Sequence, residues 1–275
     1  MKQIRLIFLA LILAVMAFSG SLLYGAGELK ALKARSLLRI AVSGDVPPFS
    51  SLDEKGEPQG FEIHLAKKLA EDLLGSQGKL EFVLVEAETR AEVLDTDKAD
   101  VVISGFTVTP ERAEKVDFAK PYLKAALALV SPSSAAVAKL EDLNGKTLIV
   151  TSGTTADFYF SFNHPDITLL KFEHNNDSFQ ALKDGQGAAL AHDYINLLVW
   201  AAGNSDFAVS QELPDSRQNI APAVKKGQTE LLNWLNDEIV TLTKAKFFEE
   251  AYLATLAPVL GAKADPKNIL VDVAE

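Results

Sequence analysis

Arg112 stands at an unusual place for a cation. It follows Thr109-Pro110-Glu111, where Thr109 suits a helix N-cap and Pro110 suits the first helical position. A positive side chain in the first turn opposes the positive end of the helix dipole unless an anion also lies there. One explanation is a surface arginine paired with a neighbouring carboxylate. The other is a bidentate clamp on a ligand carboxylate, helped by the Thr107 hydroxyl and by backbone N–H groups.

A second group of small polar residues, Ser152-Gly153-Thr154-Thr155, lies between a predicted strand and a predicted helix. Free N–H groups and hydroxyls at such a junction can bind an anion. The same residues also fit an ordinary capping box of Thr154 with Asp157. Together with Arg112, they predict that two halves of the chain grip one carboxylate.

Asp193 follows the predicted strand over residues 188–191, with His192 between them. A carboxylate at the carboxyl end of a strand can pair with the ammonium group of a ligand in a cleft. It can also serve as the N-cap of the helix that follows, and the two roles are compatible.

The elements that must position these side chains alternate between strand and helix. Apolar strands are predicted over residues 37–42, 80–85 and 100–104, with helices between them, and the pattern restarts with strands over residues 147–150 and 167–170. Such alternation implies parallel sheets with helices on both faces, here in two similar sets. Two apolar extended segments are candidate crossings between the sets: residues 125–130 and 220–224. Ligands of such sheets bind beyond the carboxyl ends of the strands, at loops that begin here at Ser43, Ser104, Thr151 and Ala191.

The first residues have the order of a secretory signal peptide. Lys2 and Arg5 precede a mostly apolar run over residues 6–18, which is followed by Ser19-Gly20-Ser21. Because a membrane-spanning helix needs about 20 apolar residues, an uncleaved anchor is the less favoured alternative. Cleavage is expected after Ser21 or Gly27, and the absence of cysteine there excludes a lipoprotein anchor.

Composition narrows the possible functions. The chain has no cysteine, so an exported fold must be held by its core alone, without disulfides or thiolate chemistry. Loss of the two positive charges in residues 1–27 changes the formal charge from −10 to −12, which argues against nucleic-acid binding. Four scattered histidines lack the spacing of a structural metal site.

Several motifs, in order, resemble the polar amino-acid-binding proteins of ABC importers, the bacterial extracellular solute-binding proteins of family 3. The similarity runs over residues 37–258. Its motifs are Gly44-Asp45-Val46-Pro47-Pro48-Phe49, Gly60-Phe61-Glu62-Ile63, residues 100–112, Val116-Asp117-Phe118 with Pro121-Tyr122, Leu140-Glu141-Asp142-Leu143 with Gly145-Lys146, and Gly153-Thr154-Thr155.

The resemblance implies an α/β fold with two lobes, the type II periplasmic-binding-protein fold. Each lobe is expected to be a mostly parallel sheet flanked by helices, and two crossing strands join the lobes. We expect a signal peptide over residues 1–27, a second lobe over 128–220 and a C-terminal tail over 258–275. The first lobe would combine residues 28–127 and 221–257.

By the same resemblance, Arg112, Thr107 and the Gly105 backbone would hold the α-carboxylate of an amino acid. The Thr154-Thr155 pair would close on it from the second lobe by hinge motion, and Asp193 would hold the α-ammonium group. Such a protein delivers its ligand to the permease of an ABC importer. We expect an exported, periplasmic monomer that binds a free amino acid and needs neither metal nor cofactor.

The ligand side chain is less constrained. Glu86-Ala87, His192-Asp193, residues 220–227 and Phe247-Phe248 are similar to the cysteine-binding branch of the family, so cysteine is the expected ligand. Thr89-Arg90 is similar to the aspartate- and glutamate-binding branch, where an arginine at this place helps to bind the acidic side chain. Arg90 is therefore either a side-chain clamp or part of a salt bridge on the cleft wall.

Phe61 is expected beside the ligand as an apolar wall, and its alternative is a core aromatic under the following helix. Two other functions are alternatives to amino-acid transport. One is an enzyme of the same fold, a cyclohexadienyl dehydratase, which needs a carboxylic general acid in the cleft. The other is a sensor or adhesin that has kept the lobes without transport.

Overall fold

The computed structural model describes residues 27–261 and 265–274. The predicted signal peptide, apart from Gly27, lies outside these ranges. Within the described ranges, no helix combines the length and the apolar character needed to cross a membrane.

The described chain forms fifteen short strands and eleven α-helices. The strands are Leu37–Val42 (β1), Asp45–Val46 (β2), Ser50–Leu52 (β3), Pro58–Gln59 (β4), Lys79–Leu84 (β5), Val101–Val102 (β6), Val116–Phe118 (β7), Leu123–Ala125 (β8), Leu127–Pro132 (β9), Thr147–Thr151 (β10), Thr168–Phe172 (β11), Ala189–Asp193 (β12), Phe207–Val209 (β13), Gln218–Ile220 (β14) and Ala223–Lys225 (β15). The helices are Glu28–Arg35 (α1), Phe61–Leu74 (α2), Arg90–Asp95 (α3), Pro110–Ala113 (α4), Thr155–Asn163 (α5), Asn175–Lys183 (α6), Tyr194–Ala202 (α7), Thr229–Lys244 (α8), Phe247–Thr255 (α9), Ala257–Leu260 (α10) and Pro266–Ile269 (α11).

Two five-stranded sheets form the two lobes, as the resemblance implies. The first has the strand order β5-β1-β6-β15-β7 and the second the order β11-β10-β12-β9-β13. In each sheet one strand, β15 or β9, is antiparallel to its neighbours, and the other four share a direction. These two strands are the ones that enter each sheet directly after the chain has crossed from the other lobe.

The crossing itself is a two-stranded antiparallel ribbon of β8 and β14. It lies within or beside the predicted crossing segments, residues 125–130 and 220–224. Strand β8 continues into the second sheet and β14 leads back to the first. The lobe boundaries given above stay a prediction, but the strands on either side of this ribbon belong to different sheets.

Both faces of each sheet are covered, because side chains alternate along a strand. Leu38 and Ile40 of β1 point into a core formed with α2, α8 and α9, whereas Ala41 points to the opposite face, where α3 packs. In β10, Leu148 and Ile149 face opposite cores in the same way. Helices on both faces leave the strand ends free to carry polar loops.

Candidate functional site

A narrow cavity lies where the loops of the two sheets meet. It is lined by residues that follow β1, β6 and β10 and by the last residues of β12, the strand ends that the sequence indicates. Its volume is about 50 Å³, which is room for roughly three to five water-sized groups. Such a cavity fits a small ligand.

Most of the predicted binding residues meet at this cavity. Those that line it are Arg90, Gly105, Thr107, Thr154, Thr155 and Asp193. Arg112 and Phe61 are not part of its wall. The sequence did not indicate the roles of four other lining residues, which are Glu62, Asn175, Asn196 and Ile269.

Phe61 lies in the core of the first lobe and not beside the cavity. Its side chain is fully buried, and its ring stacks with those of Tyr122 and Phe248 at centroid distances of 6.2 and 6.3 Å. The expectation of an apolar wall is corrected in favour of its alternative. Successive helical residues point about 100° apart, so the next residue, Glu62, faces the cavity while Phe61 packs inward.

Glu62 fixes the loop that follows β6. Its Oε1 accepts hydrogen bonds from the Tyr122 hydroxyl, at 2.5 Å, and from the Gly105 backbone N–H, at 2.7 Å. Gly105 has a φ of +53°, a conformation in which glycine is favoured. Burial raises the pKa of Glu62, and the two hydrogen bonds act in the opposite direction.

Arg112 is held behind the cavity wall by groups from both lobes. The loop before it forms as predicted, with the Thr109 hydroxyl accepting from the Arg112 backbone N–H at 3.2 Å. The Arg112 guanidinium donates to the carbonyl oxygens of Thr107 and Gly153, both at 2.9 Å, and to the Thr155 hydroxyl at 3.3 Å. Thr107 and Thr155 both line the cavity, so Arg112 lies one layer behind it.

Arg90 lines the cavity and donates to backbone carbonyls on every side. Its Nε contacts Ala87 O at 2.8 Å, its Nη1 contacts Ser104 O and Gly105 O at 2.9 and 3.0 Å, and its Nη2 contacts Gly153 O at 3.1 Å. Four of the five N–H groups of this guanidinium are therefore engaged by carbonyl oxygens.

The two guanidinium groups form a buried positive centre. They lie 4.8 Å (Arg90) and 5.1 Å (Arg112) from the centroid of the Phe106 ring. Within the described ranges, no carboxylate oxygen lies within 4 Å of either one. Burial lowers the pKa of Arg90 to about 9, with a further lowering by Arg112, and burial lowers the pKa of Arg112 to about 10. Both remain charged at neutral pH, and Asp193 is the acidic cavity residue that most favours the charge of each.

The loop after β10 carries hydroxyl groups to the same place. Thr154 caps α5 by accepting from the Asp157 N–H at 3.2 Å, and its own hydroxyl donates to Thr151 O at 2.7 Å. The capping alternative is therefore correct for Thr154, which also lines the cavity. The Thr155 hydroxyl instead faces Arg112 of the other lobe.

Asp193 begins α7 without a side-chain capping hydrogen bond. No described residue forms a hydrogen bond or ion pair with its carboxylate, although its backbone N–H donates to His192 Nδ1 at 2.7 Å. This acceptor role of Nδ1 places the imidazole proton on Nε2, which lies 3.0 Å from Asn175 Oδ1. Burial lowers the pKa of His192, so the ring is neutral. The Asp193 carboxylate is thus an uncommitted acceptor at the cavity.

A contact between the lobes closes one side of the cavity. Asp45, the first residue of β2, accepts hydrogen bonds from the backbone N–H and the side-chain amide of Asn175 at 2.8 and 3.0 Å. Asn175 is the first residue of α6 in the second lobe, so a carboxylate of one lobe caps a helix of the other. Sequence inspection cannot find such a pair, because 130 residues separate its members.

This arrangement can bind a zwitterion through ion pairs. It combines buried cations without a paired carboxylate, one uncommitted carboxylate and several hydroxyl groups. Across the described residues there is no group of three acidic, histidine or cysteine side chains placed to hold a metal ion.

Comparisons with known proteins agree with this geometry. Residues 38–253 match the sequence model of the bacterial extracellular solute-binding proteins, family 3. The structure is similar to that of the solute receptor for L-cysteine of Neisseria gonorrhoeae, with a TM-score of 0.86, 48% identity and coverage of 88% of this chain and 99% of the receptor. The cysteine-binding protein of Campylobacter jejuni gives a TM-score of 0.86, 43% identity and coverage of 88% and 98%.

A more distant relative binds another amino acid. The ABC transporter glutamine-binding protein of Bacillus subtilis is 30% identical over 226 residues, which is 82% of each chain. Residues 254–275 of the present chain lie beyond the family match.

Proposed function

Because the chain belongs to the bacterial extracellular solute-binding proteins of family 3, we propose that it captures free cysteine outside the cytoplasm and delivers it to an ABC importer. The ligand docks in the cavity between the two sheets, and closure of the lobes buries it. The cavity acts as a binding site and not as a catalytic one.

The observation that carries this proposal is the pair of buried guanidinium groups, neither of which forms a direct ion pair with a carboxylate of the described residues. Backbone carbonyls hydrogen-bond these buried cations but carry no opposite charge, so the α-carboxylate of an amino acid would complete the site. The uncommitted carboxylate of Asp193 supplies the complementary partner for the α-ammonium group. A zwitterion satisfies both requirements at once.

Each predicted residue except Phe61 has a place in this arrangement. Thr107 binds the α-carboxylate, and Arg112 reaches it by releasing its contact with Gly153 O or with Thr155. Gly105 shapes the loop around the ligand, since its backbone N–H already donates to Glu62. Thr154 and Thr155 lie at the N-terminus of α5 in the second lobe, and a helix N-terminus favours a bound anion. Arg90 shapes the wall and contributes charge.

Cysteine is favoured over aspartate and glutamate by two features. The cavity of about 50 Å³ suits a small side chain. Arg90 has four of its five N–H groups on backbone carbonyls, so it has little capacity left to hold a side-chain carboxylate. The two similar solved structures are named for cysteine, and both are more than 40% identical to this chain.

Export and partners follow from the same proposal. The signal-like segment over residues 1–27 directs the chain to the periplasm and is removed, and the mature protein acts as a monomer with the importer permease as its partner. The matched proteins described above are named as receptors or binding proteins, which favours binding over the dehydratase activity considered as the rival.

The direct test is a binding screen on mature protein that has been unfolded and refolded to remove carried-over ligand. A ligand at 100 times its dissociation constant adds about 2.7 kcal/mol, which raises the midpoint of thermal unfolding by roughly 5 to 10 °C. We expect this shift with reduced L-cysteine and not with aspartate or glutamate. N-acetylcysteine and cysteine methyl ester, each lacking one backbone charge, are matched controls that should give little shift.

Other outcomes discriminate the alternatives. A shift with aspartate or glutamate alone would assign Arg90 to a side-chain carboxylate. No shift with any amino acid, together with product formation from prephenate, would replace the proposal with the dehydratase.

A further inference from the structure

The C-terminal segment over residues 265–274 packs against the crossing ribbon. Leu270 forms an antiparallel bridge with Leu123 of β8, and the Val271 N–H donates to Tyr122 O at 3.2 Å. From the other side, the Lys124 side chain donates to Lys267 O at 2.7 Å. The segment thus adds a third extended chain to the ribbon that joins the lobes. It lies wholly outside residues 38–253, the part that matches the family.

Ile269, at the end of α11, reaches the wall of the cavity described above. Its side chain is only 1% exposed and packs in the core of the first lobe. The same cavity is lined by Leu123 of β8 and Ile220 of β14, which pair with each other across the ribbon. Ile220 also bridges to Thr107, so this apolar patch adjoins the loop proposed to bind the α-carboxylate.

A second, larger cavity of about 510 Å³ lies on the outer side of the same wall. Residues that line both cavities form the partition between them. They are Lys124, Ala125, Ala126, Ile195 and Ile269. Ile269 and Ile195 are the branched apolar members of this partition, and Ile269 comes from the C-terminal segment.

We propose that Ile269 is a specificity-determining residue that closes the apolar end of the amino-acid cavity and so limits the length of the bound side chain. This inference rests on the proposed function, since it concerns the same cavity. Removing the Ile269 side chain beyond Cβ would join the small cavity to the outer one. A longer ligand side chain could then extend through the gap.

The test uses a series of unbranched amino acids that grows by one methylene at a time: alanine, 2-aminobutyrate, norvaline and norleucine. Affinities for these ligands and for cysteine are measured by calorimetry on the mature full-length protein and on Ile269→Ala. For the parent protein, we expect affinity to fall beyond 2-aminobutyrate. For Ile269→Ala, we expect the optimum to move to norvaline or norleucine, with a gain of about fourfold for each methylene newly accommodated.

Ile239→Ala is the matched control. Ile239 of α8 is also fully buried in the same core, but it lines neither cavity. It should lower the thermal midpoint while preserving the length preference of the parent protein. If Ile269→Ala does not fold, Ile269→Val removes one methyl group and should show a smaller shift toward longer ligands.

An unchanged length preference in the folded Ile269 variant would overturn the inference while leaving the proposed function intact. A shift of equal size in Ile239→Ala would also overturn it, since the effect would then be one of general stability. Failure of the parent protein to bind any amino acid would refute the proposed function and this inference with it.

Discussion

At the scale of single residues, two buried positive charges define the site. Arg112 and Arg90 share the Phe106 ring and the Gly153 carbonyl, and neither has a carboxylate partner among the described residues. Backbone carbonyls reduce the desolvation penalty of these cations but do not neutralise them. A ligand carboxylate is therefore attracted by positive charges that are already in position.

Arg112→Ala is expected to abolish amino-acid binding without unfolding the protein. Removing one member of a buried charge pair costs roughly 2 to 5 kcal/mol, because the other charge is left without its partner. Calorimetry with cysteine measures the binding, and circular dichroism measures the unfolding midpoint. Arg217→Ala, at an exposed arginine paired with Glu212, is the control and should bind normally. A normal isotherm from Arg112→Ala would show that this residue does not hold the ligand.

His192 should make the stability of the protein depend on pH. Burial lowers its pKa below the unfolded value of about 6.5, and Arg90 acts in the same direction while Asp193 and Asp45 oppose it. The contribution of the neutral ring is therefore present above the unfolded pKa and is lost as the pH falls through the folded pKa. Protonation would also break the hydrogen bond from the Asp193 N–H to Nδ1.

The measurement is urea unfolding from pH 7.5 down to pH 5 for the parent protein and for His192→Gln. We expect the parent to lose more stability on acidification. The exposed His174 has its pKa raised by the hydrogen bond to Glu86, an effect of opposite sign, but it is present in both proteins and cancels in the difference. Parallel pH profiles would show that folding does not lower the pKa of His192.

At the scale of elements, the N-termini of α5 and α6 bring the second lobe onto the first. Gly153, just before α5, has a φ of +73°, and a Cβ there would lie 2.4 Å from the Glu88 Cα of the other lobe. Only glycine allows this approach with the carbonyl directed at both arginines. The close packing of two backbones is thus a condition for closure.

Gly153→Ala is expected to weaken ligand binding by at least tenfold, because the added methyl group holds the lobes apart. Gly185→Ala is a matched control with a φ of +71° and no atom within 4 Å of the added Cβ. Both substitutions introduce similar backbone strain, of roughly 1 to 2 kcal/mol, but only the first affects the contact between lobes. Calorimetry should show near-normal affinity for Gly185→Ala, and equal loss in both variants would contradict the steric explanation.

At the scale of the whole molecule, ligand binding is coupled to closure of the two lobes. The carboxylate of Asp45 caps α6 of the other lobe only when the lobes are together, so its hydrogen bonds favour the closed form specifically. A ligand that binds both lobes shifts the same equilibrium. The conformation described here already contains these contacts.

Asp45→Ala should make the protein more open and its ligand affinity weaker by about fivefold, in line with about 1 kcal/mol for a helix cap. X-ray scattering with increasing cysteine should show contraction at higher ligand concentration than for the parent. Asp53→Ala is the control, since Asp53 accepts hydrogen bonds from Lys55 and Glu57 within its own loop. An Asp45 variant that contracts at the same concentration as this control would exclude the proposed closing role.

The sequence by itself determined the features that depend on the chemistry of neighbouring residues and on the spacing of apolar residues. Strand and helix alternation placed the polar loops at one edge of each sheet. The Thr109 cap, the Thr154 cap and the position of Asp193 at the end of a strand could be predicted because each depends on residues within a few positions. The motifs implied the two-lobe fold in a different way, through their resemblance to the family.

Only the tertiary structure decided which way neighbouring side chains point and which distant residues meet. Phe61 packs inward and Glu62 faces the cavity, a choice made by the orientation of α2 on the sheet. Asp45 meets Asn175, and Ile269 reaches the cavity, through closure of the lobes and return of the chain to the crossing ribbon. Such contacts join residues far apart in sequence, and no local pattern encodes them.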